Sequence, residues 1–266
     1  MKEPNNKVIP IDDTVTDEND SSSVSSRKGI YLAPNLVTTA ALFSGFFAIM
    51  AGMNGEFVKA CVAIFVAMIL DGLDGRVARW TNTESEFGEQ YDSLADLVSF
   101  GLAPALLMYQ WALVHMLGDG ITYGRLGWMA AFIYVACAAL RLARFNSQIE
   151  VVDKRFFIGL PSPSAAALVA GLVWTLHDLD VSGKNIQIPA LIMIISAGLL
   201  MVCNIKYTSF KDFDAKSKVP HLTILGIVIV FALIQVDPPK VLFALFLVYA
   251  LSGPYACLKK KIVDKK

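Results

Sequence analysis

Hydrophobic residues along this chain are grouped in long blocks that are separated by short polar segments. Eight blocks have spanning or near-spanning length, at roughly 34–53, 57–79, 93–116, 126–147, 161–177, 187–204, 220–236 and 240–258. A helix rises about 1.5 Å per residue, so blocks of this length can cross most or all of the roughly 30 Å of hydrocarbon in a bilayer. The pattern therefore predicts an all-α, polytopic membrane bundle of about eight transmembrane helices.

Composition and charge strengthen the membrane prediction, since 55% of the residues are hydrophobic and only 17% are charged. If both termini are cytoplasmic, 19 of the 23 Lys and Arg residues lie on the cytoplasmic side, where short loops collect positive charge. The four basic residues left outside are Lys59, Arg125, Lys184 and Lys240. We therefore expect an integral protein of the cell (inner) membrane with cytoplasmic termini, with the lipid bilayer as a partner and without a nucleic-acid partner.

The chain divides into three predicted regions. Residues 1–32 are polar, acidic and Ser-rich without the apolar stretch of a signal peptide, and are predicted to be a disordered cytoplasmic tail. Residues 33–211 contain six hydrophobic blocks and the motifs described below, which indicates a six-helix catalytic membrane domain. Residues 212–266 add two further predicted transmembrane helices and a basic tail. The four cysteines have no spacing typical of a metal or redox motif and are expected to pack in the core.

The segment DGLDGRVARWTNTESEFGEQYDSLAD, residues 71–96, places four aspartates in or beside two predicted spans. Asp71 and Asp74 are three residues apart, and Asp92 and Asp96 are four apart, so each pair shares one helix face. Ionised carboxylates inside a bilayer cost at least about 2.5 kcal/mol each unless they are paired, hydrated or metal-bound. Hard oxygen ligands suit Mg²⁺ or Mn²⁺, and two such ions commonly clamp a phosphoryl group under attack. The aspartates are therefore candidate ligands of divalent cations.

Small and basic residues lie between the two aspartate pairs. Gly75, Ala78 and Gly88 leave room for a ligand to approach the helix backbone, and Arg76 and Arg79 supply positive charge. The glycines and Arg76 have alternative roles, because intramembrane glycines often serve helix packing and Arg76 could simply extend its charge to the interface. Together they indicate a hydrated pocket, open to the cytoplasm, that holds metals and phosphates.

The same segment resembles the signature of the CDP-alcohol phosphotransferase family, D-x-x-D-G-x-x-A-R, eight residues, then G-x-x-x-D-x-x-x-D, at every fixed position. Members bind a CDP-linked lipid or alcohol with two divalent cations and transfer its phosphoalcohol part to an acceptor hydroxyl, releasing CMP. The likeness implies that Asp71, Asp74 and Asp92 ligate Mg or Mn. It also places Asp96 near the second cation as the favoured general base, so that Asp92 and Asp96 are the catalytic candidates.

The resemblance also implies a nucleotide site and an oligomeric state. The CDP moiety would contact Gly75, Ala78, Arg79 and Gly88. The upstream stretch APNLVTT resembles the family's first-helix motif and adds Asn35 and Thr38 as cytidine or phosphate contacts. Family likeness further suggests a homodimer.

Three later stretches narrow the resemblance to the phosphatidylserine synthase branch. They are RLARFN at 141–146, FFIGLPSPSAA from residue 156, and NIKYTSFK at 204–211, which departs from the branch at Thr208, where proline is expected. The implied substrates are CDP-diacylglycerol and L-serine, and the implied products are phosphatidylserine and CMP. Arg141 and Arg144 share a helix face and could bind the lipid phosphate and the serine carboxylate, while Lys154 and Arg155 are further cationic candidates.

Other functions remain open at this stage. Another enzyme of the same signature could use glycerol 3-phosphate or inositol phosphate as the acceptor, and these would favour a denser basic cluster. An ion-coupled transporter would also place carboxylates in the membrane, but the chain has no repeated halves. A prenyltransferase would normally have two separate aspartate-rich segments, and this chain has one.

Overall fold

The computed structural model describes residues 21–81, 85–147, 156–208 and 221–263, and this part of the chain is helical apart from one small β-ribbon. The prediction of an all-α protein is confirmed. The α-helices are α1 (Ser21–Met53), α2 (Phe57–Thr81), α3 (Glu86–Asp96), α4 (Ala103–Trp111), α5 (Ile121–Ser147), α6 (Ser162–Asp178), α7 (Gln187–Val202), α8 (His221–Val236) and α9 (Pro238–Val263). A π-helical segment, Leu97–Leu102, joins α3 to α4, and 3₁₀ turns occupy Leu113–Asp119 and Gly183–Ile186.

Four segments within the described ranges are long and apolar enough to cross a membrane, namely Asn35–Met53, Ile121–Ser147, Gly183–Val202 and Pro238–Lys259. The chain is therefore an integral membrane protein, and the count of eight spans stays a prediction. α1 begins at Ser21, so its first turns extend into the segment predicted as a disordered tail. Residues 1–20 of that tail, and the basic candidates Lys154 and Arg155, lie outside the described residues.

Small residues allow the helices of the bundle to approach closely. α1 packs along α2, α5 packs against α7, and α6 packs against both α2 and α9. Gly45 of α1 lies against Ser99 of the π-helical segment, and a Cβ built at Gly198 of α7 would be 3.2 Å from the Cα of Tyr134 in α5. Small interfacial residues bring backbones together where lipid leaves little hydrophobic drive for association. They hold α1 close to the π-helical segment and α7 close to α5.

The third hydrophobic block, predicted as one span over 93–116, is divided into several helical segments. α3 ends at Asp96, the π-helical segment follows directly, and α4 begins one residue before Pro104. The backbone N–H of Ala103 donates to the carbonyl of Val98, five residues earlier, which is the hydrogen bond that defines a π-turn. The interruption lies immediately beyond one of the four aspartates.

A two-stranded antiparallel ribbon, which the sequence analysis did not predict, joins the start of α6 to the end of α7. β1 (Phe156–Ile158) pairs with β2 (Lys206–Thr208), with Phe157 opposite Tyr207. The chain leaves β1 through Gly159, whose φ of 81° favours glycine and whose missing side chain lets it contact the backbone of Met201. The ribbon fixes the ends of α6 and α7 relative to each other.

Candidate active site

Three of the four aspartates form one compact group. Asp71 and Asp74 extend from α2, Asp92 extends from α3, and each offers a carboxylate oxygen so that all three oxygens lie within 4.8 Å of one another. Asp74 is buried, and Asp71 and Asp92 are half-buried. Three hard oxygen donors at this separation suit a divalent cation, which would also remove the repulsion between them. The group can hold a metal ion, as the spacing of the aspartates indicates.

Asp96 lies beside this group, at the end of α3. Its carboxyl group lies within hydrogen-bonding distance of Asp71, and it interacts electrostatically with Asp92 and with Arg141 of α5. The three-residue group does not include it. Asp96 is therefore within electrostatic range of both the acidic cluster and a cationic side chain.

α1 contributes the polar side chains that the APNLVTT stretch indicated. The hydroxyl of Thr38 is buried and donates to Oδ2 of Asp74 at 2.8 Å. Asn35 is close to Gly88, since a Cβ built on Gly88 would be 3.6 Å from its Oδ1. The hydroxyl groups of Thr39 and Tyr91 are 2.9 Å apart and link α1 to α3. α1 thus orients one carboxylate of the cluster and lies next to the predicted nucleotide-binding glycine.

The glycines of the signature have different surroundings. No described atom lies within 4 Å of a Cβ built at Gly75, so this glycine packs against none of the described residues. Gly88 is more crowded, with the hydroxyl of Ser85 at 3.1 Å from a built Cβ, because Ser85 caps α3 and accepts a hydrogen bond from the Gly88 N–H. Arg79 is exposed and its Nε donates to the carbonyl of Gly75 at 2.8 Å. Open space therefore lies over Gly75, beside the aspartates.

The two arginines of α5 are held by partners far away in sequence. Nη1 of Arg141 donates to the buried hydroxyl of Ser162 at 2.8 Å, and Nη1 of Arg144 donates to Oδ1 of Asn204 at 2.8 Å. The Nε of Arg141 is buried and has no hydrogen-bond partner among the described residues. A buried N–H of this kind is costly unless it binds something, so Arg141 has a donor available for an anionic ligand.

Sequence reasoning missed three polar residues at this site. Asn204 holds Arg144, and the side chains of Ser93 and Asn146 exchange hydrogen bonds of 3.0 and 3.2 Å between α3 and α5. Asn146 and Asn204 stand in the stretches RLARFN and NIKYTSFK, so a signal was present. Their partners, 53 and 60 residues away, could not be read from spacing.

The opposite end of the bundle carries different chemistry. A cavity of about 310 Å³ lies there, lined in part by His115, His177 and Asp180. The rings of Phe57, at the start of α2, and His177, at the end of α6, are 5.8 Å apart in an edge-on contact. Because α2 runs from this end to the aspartates, these histidines lie far from the acidic group. His115 and His177 therefore do not reach the acidic group.

A family model described as CDP-alcohol phosphatidyltransferase matches residues 31–203, which include the aspartates, α1 from residue 31 onward and both arginines of α5. The chain belongs to the CDP-alcohol phosphatidyltransferase family. The matched range ends just before β2, so α8 and α9 lie outside it.

Relatives with curated names cover most of the chain. A protein of Helicobacter pylori (strain ATCC 700392 / 26695) named CDP-diacylglycerol--serine O-phosphatidyltransferase is 38% identical over 236 residues, which are 89% of this chain and 96% of that protein. Proteins with the same name from Methanocaldococcus jannaschii and Bacillus subtilis (strain 168) are 32% and 35% identical, and cover 77% and 69% of this chain. The matches cover 87% and 94% of those two proteins, respectively. The family resemblance read from the signature is therefore confirmed.

Proposed function

We propose that this protein transfers the phosphatidyl group of CDP-diacylglycerol to the hydroxyl of L-serine, releasing CMP. The observation that carries the proposal is the group of Asp71, Asp74 and Asp92 with Asp96 next to it, in a chain 38% identical over 89% of its length to a protein named for this reaction. The substrates are thus a membrane lipid and a small water-soluble amino acid. The enzyme is an integral membrane transferase of phospholipid biosynthesis.

The acidic group is proposed to hold two divalent cations, Mg or Mn, with Asp71, Asp74 and Asp92 as ligands and Asp96 close to the second cation. Such cations, when bound, neutralise charge on the pyrophosphate. The ion pairs found among the described side chains, Lys59–Glu56 and Lys240–Asp237, lie at the other end of the bundle. Neither pair neutralises the acidic group, which leaves its carboxylates for metal ions. Thr38 orients Asp74 by its hydrogen bond, which helps to fix the geometry of the ligand set.

The CDP moiety is proposed to lie over α2, where Gly75 leaves open space. Asn35 and Thr38 from α1, and Ala78, Arg79 and Gly88 from the signature, would line the nucleotide and phosphate site. A side chain at Gly75 would occupy the space into which the nucleotide fits. The acyl chains would remain in the bilayer, so the site must open laterally as well as to water.

The chemistry assigned to the protein is one proton transfer with positioning of both substrates. The serine hydroxyl oxygen forms a bond to the β-phosphorus of CDP-diacylglycerol, and the bond from that phosphorus to the bridging oxygen breaks, releasing CMP. The hydroxyl proton passes to the carboxylate of Asp96, the favoured general base, with Asp92 beside it. A positioned base of this kind contributes about 10²- to 10⁴-fold to the rate. The electrostatic interaction of Asp96 with both the acidic group and Arg141 supports this role.

Arg141 and Arg144 are proposed to bind the anionic groups of the substrates, one the lipid phosphate and the other the serine carboxylate. The planar guanidinium group suits either oxyanion because it donates two parallel hydrogen bonds. Arg144 is oriented by Asn204, and Arg141 is oriented by Ser162. We also propose that the site and both termini are cytoplasmic and that the protein is a homodimer.

The experiment that tests the function is an acceptor panel on purified full-length protein in detergent. CMP release is followed with CDP-diacylglycerol, with Mg²⁺ or Mn²⁺ or neither, and with serine, glycerol 3-phosphate or inositol phosphate. Asp96→Asn is assayed alongside Glu86→Gln, a matched control that neutralises an exposed carboxylate in the same helix. We expect CMP release with serine and metal, lost in Asp96→Asn and retained in Glu86→Gln.

Each other outcome has a defined meaning. Release with a different acceptor would keep the metal site and reject serine. Full activity of Asp96→Asn would reject the assigned base while leaving the reaction intact. Absence of metal-dependent release with any acceptor would reject the transferase and favour an ion-coupled transporter.

A further inference from the structure

The acidic group is assembled from two helices that share few direct backbone contacts in the part of the chain that the structure describes. Asp71 and Asp74 belong to α2 and Asp92 belongs to α3, whereas α3 packs mainly against α1. The three carboxylate oxygens lie within 4.8 Å of one another, so they repel each other until a cation is bound. Asp92 must therefore be kept beside α2 by contacts of α3 with other parts of the bundle.

Tyr91, which precedes Asp92, links α3 to α1. Its phenol oxygen lies 2.9 Å from the hydroxyl oxygen of Thr39. The Thr39 hydroxyl donates to the carbonyl of Asn35 at 2.6 Å, so Tyr91 is the donor in its contact with Thr39. The Tyr91 ring also stacks on that of Phe87, one turn earlier in α3, with the ring centroids 6.0 Å apart and the planes at 12°. The phenol is therefore held both from its own helix and from α1.

α1 contacts the two helices that supply the carboxylates through adjacent residues. The hydroxyl of Thr38 donates to Asp74 of α2 at 2.8 Å, and the next residue, Thr39, accepts from Tyr91 of α3. α1 also packs along α2. The position of Asp92 relative to Asp74 therefore depends on α1, with one hydroxyl contact to each side.

Ser93, which follows Asp92, links α3 to α5. Its hydroxyl and the side-chain amide of Asn146 exchange hydrogen bonds of 3.0 and 3.2 Å. Successive side chains of an α-helix point about 100° apart. Tyr91, Asp92 and Ser93 therefore point to three different neighbours, which are α1, the carboxylates of α2, and α5, respectively.

We propose that Tyr91 and Ser93 are positioning residues that hold Asp92 within the metal-binding group. Tyr91 acts through Thr39 of α1, and Ser93 acts through Asn146 of α5. The inference rests on the proposed function and deepens it, because it explains how a ligand set drawn from two helices stays together before its cation binds. Hydrogen bonds that fix the ligands in advance raise the affinity for the cation, since less freedom is lost on binding.

The test measures Mn²⁺ binding to purified full-length protein in detergent, from which metals have been removed with a chelator. Free Mn²⁺ is quantified by electron paramagnetic resonance in the absence of substrates. Tyr91→Phe, Thr39→Val and the double variant remove one or both hydroxyl groups of the α1 contact with little change in shape. We expect each single variant to raise the dissociation constant for Mn²⁺ by roughly three- to tenfold, as for loss of one hydrogen bond that supports a ligand. The double variant should raise it no further than the larger of the two single changes, because both remove the same hydrogen bond.

Two further variants complete the comparison. Ser93→Ala removes the contact with α5 and should weaken Mn²⁺ binding by a similar factor. Tyr255→Phe is the matched control, since Tyr255 is 70% exposed in α9, and it should bind Mn²⁺ as the unaltered protein does. Thermal unfolding of the metal-free proteins is measured in parallel, and all variants should unfold near the temperature of the unaltered protein.

Several results would overturn the inference. Unchanged Mn²⁺ affinity in Tyr91→Phe or in Ser93→Ala would show that the hydrogen bond does not position Asp92. A loss in the double variant equal to the product of the two single losses would show that Tyr91 and Thr39 act separately. Weaker binding together with a large fall in the unfolding temperature of the metal-free protein would make the contacts structural.

Failure of the proposed function is distinguishable, because Mn²⁺ binding is measured without substrates. Release of CMP with an acceptor other than serine would reject the serine reaction and leave the expected changes in Mn²⁺ affinity in place. Absence of Mn²⁺ binding by the unaltered protein would reject the metal site, and this inference with it.

Discussion

A glycine in a membrane helix can allow close packing of another helix or leave space for a ligand, and Gly75 differs in this respect from Gly171 and Gly198. A glycine used for packing has a neighbour that a Cβ would touch, as Gly171 has in Phe243 and Gly198 has in Tyr134. At Gly75 a built Cβ meets no described atom within 4 Å, although the residue follows directly on the buried Asp74. The space beside it is therefore available to a ligand, and we assign it to the nucleotide.

Replacement of Gly75 by alanine should separate activity from stability. Alanine favours a helix over glycine by about 1 kcal/mol, and nothing described obstructs its methyl group, so the unfolding temperature should be unchanged or raised. The value of kcat/KM with CDP-diacylglycerol should fall by about tenfold or more, because the methyl group displaces the substrate from its reactive geometry. Thermal unfolding and steady-state kinetics on the same preparation measure both.

Gly72→Ala is the matched control for this substitution. Gly72 is in the same helix and is also free of described neighbours within 4 Å, but it is not a fixed position of the signature. The control should gain the same helix stability and keep its kcat/KM. Equal activity of Gly75→Ala and Gly72→Ala would show that no substrate group lies over Gly75.

Local spacing predicted much of the site at the level of single residues. The aspartates are brought together because spacings of three and four place them on shared helix faces, and Thr38 and Asn35 reach Asp74 and Gly88 from α1. The pairing of the two arginines of α5 with Ser162 and Asn204 was not predicted, for a physical reason. Ser162 and Asn204 meet α5 only when α6 and α7 have packed, and no local pattern encodes that packing.

At the level of elements, the π-helical segment after Asp96 follows from one residue. Pro104 has no backbone N–H, so it cannot donate to the carbonyl of Phe100, four residues earlier. The hydroxyl of Tyr134 in α5 donates to that carbonyl instead, at 3.1 Å. The N–H of Ala103 bonds to Val98 across the wider turn. Tyr134 therefore stabilises an irregular helical segment that begins one residue after the proposed base, Asp96.

Tyr134→Phe should destabilise the protein by leaving this buried carbonyl without a partner. The cost of such a group is about 1–3 kcal/mol, and we expect a fall in the apparent unfolding temperature of roughly 2–6 °C. Tyr123→Phe, at an exposed position near the start of α5, is the matched control and should leave the temperature unchanged. An unfolding temperature of Tyr134→Phe equal to that of the control would mean that the irregular turn needs no hydrogen bond from α5.

Hydrophobic patterning predicted the helices well and their interruptions poorly. The blocks at 57–79, 126–147, 187–204 and 220–236 agree with helices to within a few residues, because burial in lipid demands long apolar runs. The ribbon was missed because β1 and β2 contain three residues each, too few to show an alternating pattern.

Across the whole molecule, the two ends of the bundle differ in chemistry. The aspartates, both arginines of α5 and the ribbon gather at one end, whereas the histidine-lined cavity lies at the other. Two of the four basic residues predicted outside are paired with acidic neighbours, Lys59 with Glu56 at 2.7 Å and Lys240 with Asp237 at 2.6 Å. Orientation follows the number of Lys and Arg residues near the membrane and not the net charge, so these pairs leave the prediction of a cytoplasmic active site unchanged.

This orientation can be measured by labelling single cysteines in intact cells. In a background where Cys61, Cys137, Cys203 and Cys257 are replaced by alanine, one cysteine is introduced at the exposed Asn54 or at the exposed Ser147. Asn54 lies between α1 and α2 at the far end, and Ser147 ends α5 at the end that carries the active site. A membrane-impermeant maleimide should label Asn54→Cys in intact cells and should label Ser147→Cys only after the cells are permeabilised.

The labelling pattern bears on how the enzyme meets its substrates. Serine and the CDP headgroup are water-soluble, so an active site at the Ser147 end requires that end to face the cytoplasm if both are supplied from there. Labelling of Ser147→Cys but not Asn54→Cys in intact cells would reverse the orientation and contradict the charge argument. Labelling of both positions in intact cells would place both ends of the bundle outside the cell, which would contradict the assignment of α5 as a membrane-spanning helix. Only protection of Ser147→Cys until permeabilisation is consistent with an acidic, metal-binding site that draws its soluble substrates from the cytoplasm and its lipid from the bilayer.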